Sequence, residues 1–174
     1  MSEVSATHPG AGVFDALYLA CIWTAGIAIA LMSLIIPVGV VMRYVFGVGA
    51  QWPEPISILL MMLFTFVGAA AAYRAGGHIA VDMLTKALPA PLRRAAGVAV
   101  NLLMLGVCGY VAWFGTGLCL ETMRQTVSEL PWLPVGVTYT AIPVGALATA
   151  LFVLERMAFG SQAARAVVRI GDGD

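Results

Sequence analysis

Hydrophobic residues run along this sequence in four long blocks that no charged residue interrupts. No Asp, Glu, Lys or Arg occurs between Asp15 and Arg43, between Glu54 and Arg74, between Arg94 and Glu121, or between Glu129 and Glu155, gaps of 27, 19, 26 and 25 residues. About 20 apolar residues at 1.5 Å each cross ~30 Å of hydrocarbon, so every gap is long enough for one passage. Lipid cannot satisfy a bare backbone amide, and each passage is therefore expected to be a helix. The pattern predicts spans over about Phe14 to Met42, Ile56 to Tyr73, Arg93 to Leu120 and Val135 to Leu154. Pro37 and Pro143 fall inside spans one and four, where kinks are expected.

The connections carry signals of their own. Residues 1–13 read as a short disordered tail, 14–158 as the membrane domain and 159–174 as a second tail. The first outer connection, Gly47 to Pro55, is a turn rich in Gly and Pro. Span two ends in Gly68-Ala69-Ala70-Ala71-Ala72, a small-residue run that admits another helix backbone, and span two is expected to be the protein-facing helix. After Gly76-Gly77 the apolar pattern breaks. Arg74, His78, Asp82 and Lys86 then recur every four residues, with Ile79, Met83 and Leu84 pointing elsewhere, up to the stop at Pro89. This spacing predicts a short amphipathic helix lying on the membrane surface. The fold class expected is an all-α integral membrane protein of four transmembrane helices, with that interfacial helix between the second and third.

Composition agrees. Of 174 residues, 61% are hydrophobic and 10% charged, with mean hydropathy +0.94, whereas a soluble domain carries roughly a quarter of its residues charged. The formal net charge of zero excludes a nucleic-acid partner of the usual basic kind. The N-terminus lacks the basic residues of a cleaved signal peptide, so span one is expected to be retained. Arg74, Lys86, Arg93 and Arg94 flank the middle connection and Arg156, Arg165 and Arg169 the C-terminal tail, against Arg43 and Arg124 in the other two connections. The excess of seven over two places both termini and the middle connection in the cytoplasm. Cys21, Cys108 and Cys119 form no CxxC pair and read as apolar packing.

Candidate chemistry is sparse. No Asp, Glu, His, Lys or Arg lies within the four gaps, and proton relays and ion sites depend on such residues. The two histidines, His8 and His78, lie outside the spans, which excludes the usual axial ligation of a haem within a bundle. No metal cluster, phosphate loop or nucleophile motif is evident, so no catalytic, cofactor or metal residue is assigned and the chain reads as a non-enzyme. Asn101, inside span three, reads as an interhelical hydrogen-bonding group. At the span ends, Arg43 suits the C-terminus of span one and Glu54 the N-terminus of span two, while Trp52 and Trp132 suit an interfacial aromatic belt. The same residues equally fit a plain solvated or interfacial role.

These positions also carry a likeness. Arg43-Tyr44-Val45-Phe46, then Trp52 and Glu54, Gly68-Ala69, Arg74, His78-Ile79-Ala80-Val81-Asp82 and Leu88-Pro89 together resemble the small, four-helix membrane subunit of TRAP (tripartite ATP-independent periplasmic) transporters, the DctQ-like family. The likeness covers about residues 14 to 158. Pro55 departs from it, standing where the family often has a second acid beside Glu54. The resemblance implies a scaffold or anchoring subunit of a sodium-driven, secondary active symport system in the bacterial inner membrane that imports an organic acid or similar small solute. It further implies a large membrane subunit carrying the solute and sodium sites, and a periplasmic substrate-binding protein. Arg43, Trp52, Glu54, Gly68, Arg74, His78 and Asp82 are the expected assembly residues. The alternatives are an anchor subunit of another membrane complex and a quinone or haem enzyme subunit.

Overall fold

A computed structural model of the chain describes residues 11–76 and 89–160. Helix α1 covers Ala11–Tyr44, α2 Pro53–Arg74 and α3 Ala90–Thr122. A short antiparallel pair follows, β1 (Thr126–Val127) and β2 (Leu130–Pro134), and then α4 (Val135–Tyr139) and α5 (Ala141–Phe159). Four helical segments are long and apolar enough to cross a membrane, α4 and α5 together forming the fourth. The protein is an all-helical membrane protein in the sense the hydrophobic pattern predicts. The expected interfacial helix, with His78, Asp82 and Lys86, lies outside the described residues, as do residues 1–10 and 161–174.

Three details differ from expectation. Residues 11–13, read as tail, already belong to α1. Its first turns are held by tertiary contact: Phe14 and Leu17 pack on the core and Asp15 bonds to Arg74. The second outer connection, for which no element was expected, contains the β1–β2 ladder, in which Thr126 faces Pro134 and Val127 faces Leu130. Span four carries a one-residue interruption, although Thr140 there keeps a helical backbone at φ −60° and ψ −24°. Thr140 separates α4 from α5, its hydroxyl donating to the Val137 carbonyl at 2.6 Å. Pro143 has no N–H to offer the Tyr139 carbonyl four residues earlier, so one rung of the helical ladder is missing at this turn. In α1, by contrast, the helix continues through Pro37.

The spanning helices stand in an open row. α1 packs along α2, α2 along α5 and α5 along α3, giving the order α1–α2–α5–α3. The two middle helices are accordingly the more enclosed. In the spanning windows of α2 and of α4–α5, 33% and 39% of residues are buried, against 11% and 6% for α1 and α3. Span two is thus protein-facing, as its small residues predict, and span four is its equal.

Backbone approach sets the α2–α5 contact. A Cβ added to Gly145 of α5 would sit 2.6 Å from the carbonyl of Phe66 on α2, closer than any side chain allows. Glycine there lets the two helices touch. Gly136 in α4 does the same against the end of α3, where a Cβ would meet the Cys119 carbonyl oxygen at 2.5 Å. Around the α2–α5 contact lies the main core of Cys21, Val67, Ala70, Ala71, Tyr73, Ala148, Phe152 and Val153. Cys108 and Cys119 are buried as well, and all three cysteines are free thiols.

Candidate functional site

The end of the bundle where α1 begins and α2 and α5 finish holds a cluster of buried charge. Asp15 lies in the second turn of α1, Arg74 is the last residue of α2, and Glu155 lies one turn before the end of α5. Arg74 Nε donates to Glu155 Oε2 at 2.8 Å, and Nη2 donates to Glu155 Oε1 at 2.8 Å and to Asp15 Oδ1 at 2.6 Å. The Arg74 and Glu155 side chains are 4% and 1% exposed and that of Asp15 22%, so the fork is dry on the α5 side and partly wet on the α1 side.

Each partner suits the position its helix gives it, with one exception. Arg74 complements the negative C-terminal end of α2 and Asp15 the positive N-terminal end of α1. Glu155, near the C-terminal end of α5, stands against that helix's dipole, and the two-pronged bond to Arg74 offsets the conflict. Planar guanidinium–carboxylate pairing of this kind is stronger and more directional than a single contact. Aromatic rings close the cluster: the guanidinium carbon lies 5.1 Å from the centre of Tyr18 and 5.5 Å from that of Phe152, and these two rings meet edge to face at 6.5 Å. Cation–π attraction strengthens when the cation is desolvated, as here. The cluster therefore ties three helices at one end, with every charged member facing an opposite charge.

Arg74 was expected on a polar stripe with His78 and Asp82. Its side chain instead turns into the bundle between α1 and α5. A solvated stripe would leave Glu155 buried without this guanidinium, which is the costlier arrangement. His78 and Asp82 lie outside the described residues. Gly68 faces α1, where an added Cβ would rest 3.6 Å from the Ala25 Cβ, an ordinary contact inside the chain. Its neighbours divide between faces, with Ala70 and Ala71 buried and Ala69 and Ala72 exposed. Asn101 is half-buried on α3, and no hydrogen bond from its side chain is found among the described residues.

The opposite end holds Arg43, Trp52 and Glu54. Trp52 is exposed and immediately precedes α2, and Glu54 lies in the first turn of α2. Arg43 and Glu54 line one groove of about 340 Å³ between the last turns of α1 and the first turns of α2. They do not form an ion pair with each other. A second cleft of about 480 Å³ lies between the start of α2, the β-hairpin and α4, with Glu54 and Glu129 among its walls.

Sequence reasoning passed over Asp15 and Glu155, treating them only as the borders of charge-free gaps. The signal was present. Alternating spans place the start of span one and the ends of spans two and four on one side, and the border charges there are an acid, a base and an acid.

With this geometry in hand, likeness to known proteins sharpens the picture. Residues 32–162 match the family described as tripartite ATP-independent periplasmic transporters, DctQ component. A Haemophilus influenzae protein, described provisionally as a TRAP transporter small permease protein, is 28% identical over 129 residues, covering 74% of this chain and 80% of the relative. The C4-dicarboxylate TRAP transporter small permease protein DctQ of Rhodobacter capsulatus is 31% identical over 119 residues, 66% of this chain and 50% of the relative. The ectoine TRAP transporter small permease protein TeaB of Halomonas elongata is 25% identical over 127 residues, 72% of this chain and 65% of the relative.

Proposed function

The chain belongs to the DctQ component family of tripartite ATP-independent periplasmic transporters, and from that premise we propose that it is a scaffold subunit that anchors and widens a larger transporter without holding a transport site itself. It is a multi-pass membrane protein and a small permease subunit rather than an enzyme. Its proposed partners are a large membrane subunit, carrying the solute and sodium sites, and a periplasmic substrate-binding protein. Its proposed setting is the bacterial inner membrane, with both termini cytoplasmic, and its proposed cargo system is a sodium-driven importer of an organic acid or similar small solute. Two of the relatives are named for different solutes, a C4-dicarboxylate and ectoine. The likeness therefore leaves the solute open.

The observation that carries the scaffold reading is the open row of helices with its charge confined to the helix ends. Between the charge-bearing ends the spans contain no Asp, Glu, His, Lys or Arg, so no charged side chain is available there to hold a carboxylate or sodium. The Arg74 cluster is the exception in burial but not in chemistry: its charges are committed to each other at the helix ends. The one-residue interruption at Thr140 lies near one end of span four, whereas transporter sites use paired broken helices near the bilayer midplane. α1 and α3, each packed on one side only, leave long apolar faces for lipid and for a partner subunit. Trp113, Tyr110 and Phe114 on α3 are among the most exposed large side chains. On the inner side, His78 and Asp82 are proposed as contacts to the large subunit.

Reconstitution tests the proposal. Liposomes with a sodium gradient would receive this chain alone, the large subunit alone, or both, with binding protein and solute outside. Uptake is expected only with both subunits. Uptake by this chain alone would overturn the scaffold reading, and full activity of the large subunit alone would make the chain dispensable.

A further inference from the structure

The groove between α1 and α2 at the end opposite the Arg74 cluster has two unlike parts. Its walls are apolar, formed chiefly by Met32, Ile36 and Val40 on α1 and Met61 on α2, while Arg43 and Glu54 stand at its mouth. Met32 to Arg43 covers eleven helical steps, about 16 Å at 1.5 Å each, which is about half of the ~30 Å hydrocarbon thickness. The slot therefore runs from the interface to near the midplane, the depth of one leaflet. Both charged residues are exposed, and among the described residues neither makes an ion pair or side-chain hydrogen bond.

We propose that this groove binds one phospholipid of the phosphatidylethanolamine class, with an acyl chain along Met32, Ile36, Val40 and Met61, its phosphate at Arg43 and its ammonium at Glu54. The charges select the headgroup. A guanidinium suits a phosphate, to which it can donate two hydrogen bonds. The carboxylate beside it repels a headgroup that is only anionic, such as phosphatidylglycerol. A choline headgroup carries no N–H to donate to that carboxylate, whereas a primary ammonium carries three donors, like a lysine. The floor is closed where α1 and α2 meet, because at Gly39 an added Cβ would already lie 2.9 Å from the Pro53 Cβ. Bound there, the lipid would fill the splayed ends of α1 and α2 where no side chain does, and fix the first outer turn.

The test uses the full chain, purified with its large subunit and placed in nanodiscs of phosphatidylcholine containing either phosphatidylethanolamine or phosphatidylglycerol. Lipid retained after detergent extraction is measured by native mass spectrometry. One phosphatidylethanolamine per chain is expected in preference to the other two. Arg43→Gln and Glu54→Gln should each weaken its retention about two- to fivefold, the effect of losing one partly exposed ion pair, and Glu54→Gln should shift the preference toward phosphatidylglycerol. Val40→Trp should fill the slot and remove retention of every lipid, while Leu102→Trp, on the exposed face of α3, should change nothing. Equal retention of the three lipids by the wild type would overturn the proposal, as would unchanged retention in both charge variants. Val40→Cys cross-linking in high yield to the large subunit in native membranes would overturn it too, by showing that protein fills the groove.

Discussion

Replacing Arg74 by Leu should destabilise the bundle more than any other single change at the helix ends. The substitution removes three hydrogen bonds at 2.6–2.8 Å and two ring contacts. More important, it takes the guanidinium away from Glu155, whose side chain is 1% exposed. Breaking a buried ion pair by deleting one partner costs about 3–5 kcal/mol, most of it the penalty of the charge left behind. Asp15 is 22% exposed and can recover water, which points to the lower figure, about 3 kcal/mol. At about 2–4 °C per kcal/mol for a chain of this size, Tm should fall by about 6–12 °C. The assay is thermal unfolding of the purified chain in detergent, followed by tryptophan fluorescence. A double-mutant cycle isolates the cause, because Arg74→Leu with Glu155→Leu removes both charges. It should therefore be less destabilised than the sum of the single variants by about 1.5 kcal/mol or more. A Tm loss under about 3 °C for Arg74→Leu, or strict additivity in the cycle, would refute the reasoning and reduce the cluster to an ordinary surface pair.

Further expectations rest on separate features. Gly145→Ala should cost about 1–3 kcal/mol in the same unfolding assay, because its Cβ cannot avoid the Phe66 backbone, whereas Gly68→Ala, whose Cβ would make an ordinary 3.6 Å contact with Ala25, should be neutral or gain up to about 1 kcal/mol of helix propensity. Topology is checked in intact cells with an impermeant thiol reagent on a chain stripped of its native cysteines: Glu129→Cys should label and Lys86→Cys should not. Asp82→Lys should impair co-purification with the large subunit while leaving membrane insertion intact, since it sets like charge beside His78 and Lys86 on the expected stripe. Normal assembly and uptake by that variant would make the stripe a solvated face only.

The cluster at Arg74 shows where reading the chain succeeds and where it stops. Arg74 itself stood out, as the base that ends an apolar span. Its role did not, because its partners lie 59 and 81 residues away in sequence and meet it only when three helices pack. Gly68 and Gly145 make the same point from the other side. Both are glycines in apolar helices, and the small-residue run made Gly68 the conspicuous one, yet only the packed structure reveals that a methyl group fits at Gly68 and not at Gly145. The interruption at Thr140 was half legible. Pro143 announced a disturbance, but that it falls at Thr140 and leaves the backbone there helical is visible only in the structure.

By itself the sequence determined how many times the chain crosses the membrane, roughly where each crossing starts and stops, and the family to which its motifs bear likeness. Those properties follow from a one-dimensional rule, since hydrocarbon rejects charge and unpaired backbone wherever they fall along the chain. The order of helices in the row, the open faces of α1 and α3, and the pairing of Arg74 with Asp15 and Glu155 were decided only by tertiary structure. The reason is that these spans are apolar all round. In water a helix shows by its hydrophobic stripe which face it will bury, but in lipid both faces are apolar and burial is settled by shape. Backbone contact at Gly145, side-chain fit around Phe152 and one shared guanidinium select the arrangement, and all three exist only once the helices have met.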